Sequence, residues 1–335
     1  MTSEDAETAR EVRNMLKIYK THSGLLSETE EFEEGVWVDL AAPSMEEIRL
    51  IAEQYQIDAD DIVAILDDEE TSRVEQQAGY LFILIDIPSE EVRHERSAYT
   101  TIPLGVFLTE KAVITVCAEQ SDIFLSFLQK NGTQKTNTNR SFSTKKQTRF
   151  VYQLLYAVAL EYQRLLRYID RSRREIENRA VNNQTQDTDL IDLHELESNL
   201  VYFTASLKSN MLVINRLVRY ERIKQYSEDK ELLDDVVIEN QQASEMTDIY
   251  INIIHGSREL ISNIINDKLN RVMKLLTAIT LVMGIPSIVS GLYGMNVDER
   301  WMPLAQVSHG FEIICGGIAV ICFLILLIMK KKKLL

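Results

Sequence analysis

Cysteine is scarce in this chain: Cys117, Cys315 and Cys322 are its only three in 335 residues. They are too few and too scattered for a disulfide framework, which points to a reducing compartment. Phosphate-binding loops are missing as well. No GxxxxGK[ST] and no GxGxxG occurs, so the sequence offers no nucleotide site. The histidines His22, His94, His194, His255 and His309 are dispersed, and neither HExxH nor GxSxG is present. The reading is therefore not an enzyme, with no organic cofactor. Positive charge is also in short supply, with 36 Lys and Arg against 51 Asp and Glu, a net charge of −15. An acidic body argues against nucleic acid, whose phosphates demand a basic face, and fits solubility or attraction of cations. The first residues, MTSEDAETAREVRN, hold no apolar core for a signal peptide, so about the first 270 residues are expected in the cytosol.

What is present begins with a mixed pattern over residues 1–141. GVWVDL (35–40), YLFILIDIP (80–88), IPLGVFL (102–108) and AVITVC (112–117) are short and rich in β-branched and aromatic residues, which predicts strands, the longer ones buried on both faces. PSMEEIRLIAEQY (43–55) opens with Pro43 and Ser44 and continues at helical spacing. This is an α+β domain, closed by the polar linker NGTQKTNTNRS (131–141). Long helices follow over 142–230, from about Lys146 to Val181 and from Asp189 to about Gln225, with breaks at NNQTQDT (182–188) and SEDK (227–230). A third helix is expected from 231 to about 293, roughly 90 Å long at 1.5 Å per residue. Its first part, 231–274, is a water-exposed stalk, because the whole is three times the thickness of a bilayer core.

Two segments are apolar enough to cross that core. Leu275 to Val297 is free of charge, giving a first span over 275–296, and a second lies over 311–329. A short loop, 297–310, joins them, and a basic tail, 330–335, carries Lys330, Lys331, Lys332 and Lys333. Lys274 and that tail place both chain ends on the cytosolic side of the cell membrane. The lysines serve as a lipid head-group anchor, or additionally line the inner mouth of a pore. The first span repeats small or polar residues in steps of three and four: Asn270, Met273, Thr277, Thr280, Gly284, Ser287, Gly291 and Gly294. Such a stripe is either a close-packed seam between helices or the lining of a narrow pore built from several copies.

At YGMN (Tyr293 to Asn296) the chain resembles the CorA-type magnesium channels. The likeness extends through NRVMKLLT (Asn270 to Thr277), the KKKKLL end, and the order of acidic domain, long helices and two-span hairpin. The resemblance implies a homopentameric funnel in membrane lipid. Gly294, Met295 and Asn296 would form the selectivity filter, with Asn296 binding a hydrated Mg²⁺ through its water shell; a polar helix cap is the plainer role for Asn296. Mg²⁺ sheds water reluctantly, so a neutral acceptor suits it. Asn270 would form a polar ring at the inner end, and Met273 or Leu276 a hydrophobic constriction. Gly284 stands where a bulky residue is usual, and Leu304 follows Met302 and Pro303 where the family's loop has an acid, leaving Asp298 and Glu299 as substitutes.

The resemblance also implies a regulatory Mg²⁺ site between subunits. Asp235 falls on its stalk position, and the partner would come from DADDIVAILDDEE (58–70), where Ala64 occupies the family's aspartate and Asp61 or Asp67 would replace it. A solvated acidic helix face is the alternative there. The leading function is Mg²⁺ uptake driven by the membrane potential and gated by cytosolic Mg²⁺. Transport of Co²⁺, Ni²⁺ or Zn²⁺ is the runner-up, and the pore helix lacks the His and Cys those ions prefer. A non-conducting membrane-tethered sensor is the reading from a different class.

Overall fold

A computed structural model of the chain describes residues 16–22, 25–68, 70–93, 96–121, 123–124, 127, 142–186, 188–219, 227–296, 302–304 and 307–331. It falls into two compact units, Met1–Ser257 and Arg258–Leu335. The expected linker 131–141, the substitutes Asp298 and Glu299, and Lys332 and Lys333 lie outside the described residues.

The first unit is built on one seven-stranded sheet. Its strands are β1 (Leu16–His22), β2 (Leu25–Thr29), β3 (Val36–Ala41), β4 (Arg73–Gln76), β5 (Tyr80–Arg93), β6 (Arg96–Thr109) and β7 (Ala112–Cys117), in the order β2-β1-β3-β7-β6-β5-β4. All neighbours run antiparallel except β3 and β7, which are parallel. Because side chains alternate along a strand, each central strand feeds two cores. Val36, Val38, Leu40, Phe82, Leu84, Ile114 and Val116 point to one face. There they meet Ile48 and Ile51 of α1 (Met45–Tyr55) and Ile62 of α2 (Ala59–Ala64). Trp37, Ile83, Ile85, Val106 and Val113 point to the other, against three long helices. These are α3 (Gln147–Val181), α4 (Asp189–Val218) and the first part of α5 (Ser227–Tyr293).

Local chemistry explains several boundaries. Ser44 caps α1 through a capping box with Glu47, in which each side chain bonds the other's backbone N–H. The predicted break at SEDK does not occur: α5 already starts at Ser227. Asp229 is buried there and pairs with Arg149 of α3 at 3.7 Å, and acidic residues suit a helix N-terminus. β4 pairs β5 only as far as Leu84, so Asp86 has β6 on one side and no strand on the other. Asn210 of α4 fills that side: Asp86 N–H donates to Asn210 Oδ1 at 2.8 Å and Asn210 Nδ2 donates to the Asp86 carbonyl at 2.7 Å. In the middle of the sheet, Trp37 Nε1 donates to Thr115 Oγ1 at 2.8 Å, and Thr115 in turn donates to Asp39 at 2.7 Å.

The second unit is organised differently. It contains the rest of α5 and α6 (Gly310–Lys331), the two helices long and apolar enough to cross a membrane among the described residues. Of its described residues only Ile261, Ala278 and Gly310 are buried. α5 ends at Tyr293, and the turn before α6 is tied back by Tyr293, whose hydroxyl donates to the Pro303 carbonyl. A side chain on Gly310 would collide with the Leu304 carbonyl, 2.1 Å from where its Cβ would stand, so glycine is required at that position.

Candidate functional site: the open face of the apolar helix

The small and polar positions of α5 share one face. At 3.6 residues per turn, successive residues are rotated by about 100°, which brings Asn270, Met273, Thr277, Thr280, Gly284, Ser287 and Gly291 together. The face that meets α6 is a different one. Ala278 is buried, Val282, Ile285 and Val289 are half-buried, and the Cys322 thiol of α6 lies 3.6 Å from the Val282 carbonyl. That seam is about 150° around the helix from the stripe. The stripe is thus not the packing surface between the chain's own two apolar helices. Thr277, Thr280, Ser287 and Gly291 are exposed, and a Cβ added at Gly284 or Gly291 would meet nothing within 4 Å.

The hydroxyls on this face have a common orientation. Thr277 donates to the Met273 carbonyl at 2.8 Å, Thr280 to Leu276 at 2.9 Å and Ser287 to Met283 at 3.0 Å. Each hydroxyl has a single hydrogen and spends it on its own helix. What remains toward the open side is oxygen lone pairs. Such a row accepts hydrogen bonds from the water of a hydrated cation, whose outer surface is hydrogen.

Past the helix end, Gly294 N–H donates to the Ser290 carbonyl at 2.9 Å and Met295 N–H to Leu292 at 3.4 Å. Asn296 follows this turn and is exposed, as are Met295, Met273, Leu276 and Asn270. On the far side of the turn, His309 Nδ1 lies 3.1 Å from Glu312 in the first turn of α6.

This layout belongs to a known family. The sequence matches the family model described as CorA-like Mg²⁺ transporter protein over residues 32–331. The chain belongs to that family. As a CorA-family member it is a divalent-cation transporter of the membrane. The cobalt/magnesium transport protein CorA of Methanocaldococcus jannaschii is 24% identical over 296 residues, 88% of this chain and 90% of the relative. The protein of the same name from Thermotoga maritima is 24% identical over 271 residues, covering 80% and 74%. The complete structure of the CorA magnesium transporter from M. jannaschii superposes with a TM-score of 0.75 at 22% identity, over 94% of this chain and 97% of that one. The expected fold class, an α+β domain followed by long helices and an apolar hairpin, is the fold this CorA-family chain has.

The remaining predicted residues are spread out. Asp61 of α2 is half-buried and accepts a hydrogen bond from Tyr80 Oη at 2.6 Å. Burial, and then that bond, push the Tyr80 phenol up to about 12, so it remains a donor to Asp61. Asp67 is exposed and Asp235 half-buried. Among the described residues, no group of three or more His, Cys, Asp or Glu side chains is placed to hold a metal ion. Lys330 and Lys331 are exposed at the end of α6. Two features escaped the sequence reading. Pro286 lies inside α5, and its signal was plain in the string; the Cys322 contact, which joins residues 40 apart, left none.

Proposed function

We propose that this CorA-family chain assembles as a homopentamer and conducts Mg²⁺ into the cell. The observation that carries this reading is the row of acceptor oxygens on α5, turned away from the chain's own second apolar helix. A face of that kind in lipid demands either other helices or water, and five copies around an axis supply both. Gly294, Met295 and Asn296 form the outer filter, with the Asn296 amide accepting hydrogen bonds from the ion's water shell. A neutral ring avoids both the dehydration that Mg²⁺ resists and the tight hold of a charged site. Entry needs no ATP, since a divalent ion gains about 4.6 kcal/mol per 100 mV of inside-negative potential.

Both chain ends lie in the cytosol, and Lys330 to Lys333 anchor the inner end of α6 to anionic head groups. Cytosolic Mg²⁺ closes the channel by screening Asp235 of one subunit from Asp61 or Asp67 of the next. Of the two, Asp67 is exposed and Asp61 half-buried. Co²⁺ is the second candidate ion, since the relatives from M. jannaschii and T. maritima are named cobalt/magnesium transport proteins.

The deciding experiment is Mg²⁺ influx into proteoliposomes that hold a Mg²⁺-sensitive dye, under an inside-negative potential. Wild-type influx that collapses more than tenfold in Asn296→Ala supports the filter. Pentamers without influx in either protein would overturn conduction and favour a membrane-tethered sensor.

A further inference from the structure

Pro286 sits in the middle of the α5 segment that carries the oxygen stripe. A proline has no backbone N–H, and in an α-helix that N–H would serve the carbonyl four residues earlier. The residue so deprived is Val282. In a membrane no water is at hand to replace the lost donor, and transmembrane proline is tolerated where a neighbouring group supplies one. The Cys322 thiol lies 3.6 Å from that same Val282 carbonyl. We propose that Cys322 stands in for the donor that Pro286 removes, which makes it a positioning residue for the stripe-bearing helix.

Two independent features meet at one atom here. One is a gap in the hydrogen-bond ladder of α5, set by sequence; the other is a donor from α6, set by packing. Elsewhere on the helix the extra donors come from α5 itself: Thr277 to Met273, Thr280 to Leu276 and Ser287 to Met283. Val282 has no such helper in its own helix at the corresponding place, since residue 286 is the proline. The cysteine is also sized for the task. A thiol reaches a carbonyl across a helix seam while behaving otherwise as a small apolar group. Cys322 is half-buried in the seam, in line with half-buried Ile318 and Ile325, whereas Cys315, seven residues earlier, is exposed and outside it. The consequence is directional. α6 holds α5 at its weakest turn, between Thr280 and Ser287, so the spacing of those two oxygens depends on a residue that never faces the stripe. The effect on conduction rests on the transport reading; the hydrogen bond itself does not.

The test is a double-mutant cycle on the full-length protein, read by its thermal midpoint in detergent and by Mg²⁺ influx in proteoliposomes. Cys322→Ala is expected to lower the midpoint by about 2 °C or more and to cut influx severalfold. In a Pro286→Ala background, where residue 286 again donates to Val282, the same substitution should lose less than half as much. An equal loss in both backgrounds overturns the assignment. Should Pro286→Ala fail to fold, Cys322→Ser decides: its hydroxyl donates, so it should match the wild type. A serine variant as impaired as the alanine one would also overturn the assignment. The thermal readout requires no transport, so a wild type without influx counts against conduction alone.

Discussion

The two units of this chain obey opposite burial rules. In the first, Trp37, Phe82, Phe107, Phe150 and Phe203 are fully enclosed, and in the middle of the sheet the Trp37 indole N–H is paired with Thr115 and the Thr115 hydroxyl with Asp39. In the second, Met283, Ile288, Leu292, Phe311, Val320 and Phe323 are largely exposed, while the hydroxyls are bonded inward to their own helix. The difference is one of solvent. Water drives apolar side chains together, whereas hydrocarbon is indifferent to them and penalises only unpaired polar groups. The first unit therefore draws its stability from side chains, and the hairpin mainly from its backbone hydrogen bonds. Substitutions that delete apolar volume should hurt the first and barely register in the second.

The largest effect is expected at Trp37. Its ring is packed against Tyr19, Phe124, Phe127 and Phe150, with centroids at 5.0, 5.9, 6.0 and 5.1 Å, and its indole N–H is spent on Thr115. Trp37→Ala should cost about 3–5 kcal/mol, measured by denaturant unfolding of the full-length protein. Phe323→Ala, which also deletes an aromatic ring but at an exposed position in α6, should cost under about 1 kcal/mol. Comparable losses at the two sites would break the contrast between the units.

Next comes Asn210. It is 2% exposed and replaces a missing strand at Asp86 with two hydrogen bonds. Asn210→Leu removes both and leaves the Asp86 N–H unpaired, while Tyr162 Oη still donates to the Asp86 carbonyl at 3.1 Å; the change should cost about 1–3 kcal/mol. Unfolding midpoints in urea would measure it, and a loss under about 1 kcal/mol would mean that water takes over the edge.

A smaller effect, with a pH signature, is expected at Asp39. Burial pushes its carboxyl up from 3.8 to about 6, against the opposing pull of the Thr115 hydroxyl and Lys17. The folded protein therefore binds a proton more tightly than the unfolded chain. The stabilising contribution is complete below about pH 4 and is lost as pH rises to about 6. Asp39→Asn should erase that slope, leaving the variant more stable at pH 7 by about 1–2 kcal/mol and equal to the wild type near pH 4. Melting curves across pH 4–7 would show it, and a slope that persists in the variant would assign it to other groups.

Much of the fold was legible because solvent writes itself into spacing. β3, β5, β6 and β7 are strings of β-branched and aromatic residues, and α3, α4 and α5 carry the helical period over long distances. β1, β2 and β4 carry no such pattern. LKIYKTH, LLSET and RVEQ are short or half polar, and they are strands through pairing with neighbours rather than through their own pattern. The start of α5 was misplaced for a related reason: SEDK looks like a break until Arg149 is opposite Asp229. For the candidate site, spacing reveals the stripe, but only the folded chain shows that α6 packs elsewhere and that the hydroxyls are bonded inward.

The smallest change in stability should be the most telling about function. Gly284 lies on the stripe, midway between Thr280 and Ser287, and a methyl there meets no atom of its own chain within 4 Å. Alanine is also the better helix former, by about 1 kcal/mol or less. Gly284→Ala should therefore leave the thermal midpoint unchanged or slightly raised. If five such faces converge on one axis, however, five added methyls narrow the bore at that level, and influx should fall severalfold while Asn296 and its turn are untouched. If instead the stripe faces lipid, influx and midpoint should both match the wild type. A protein made no less stable but slower would place that face on the ion's path, because no contact within a single chain predicts the loss.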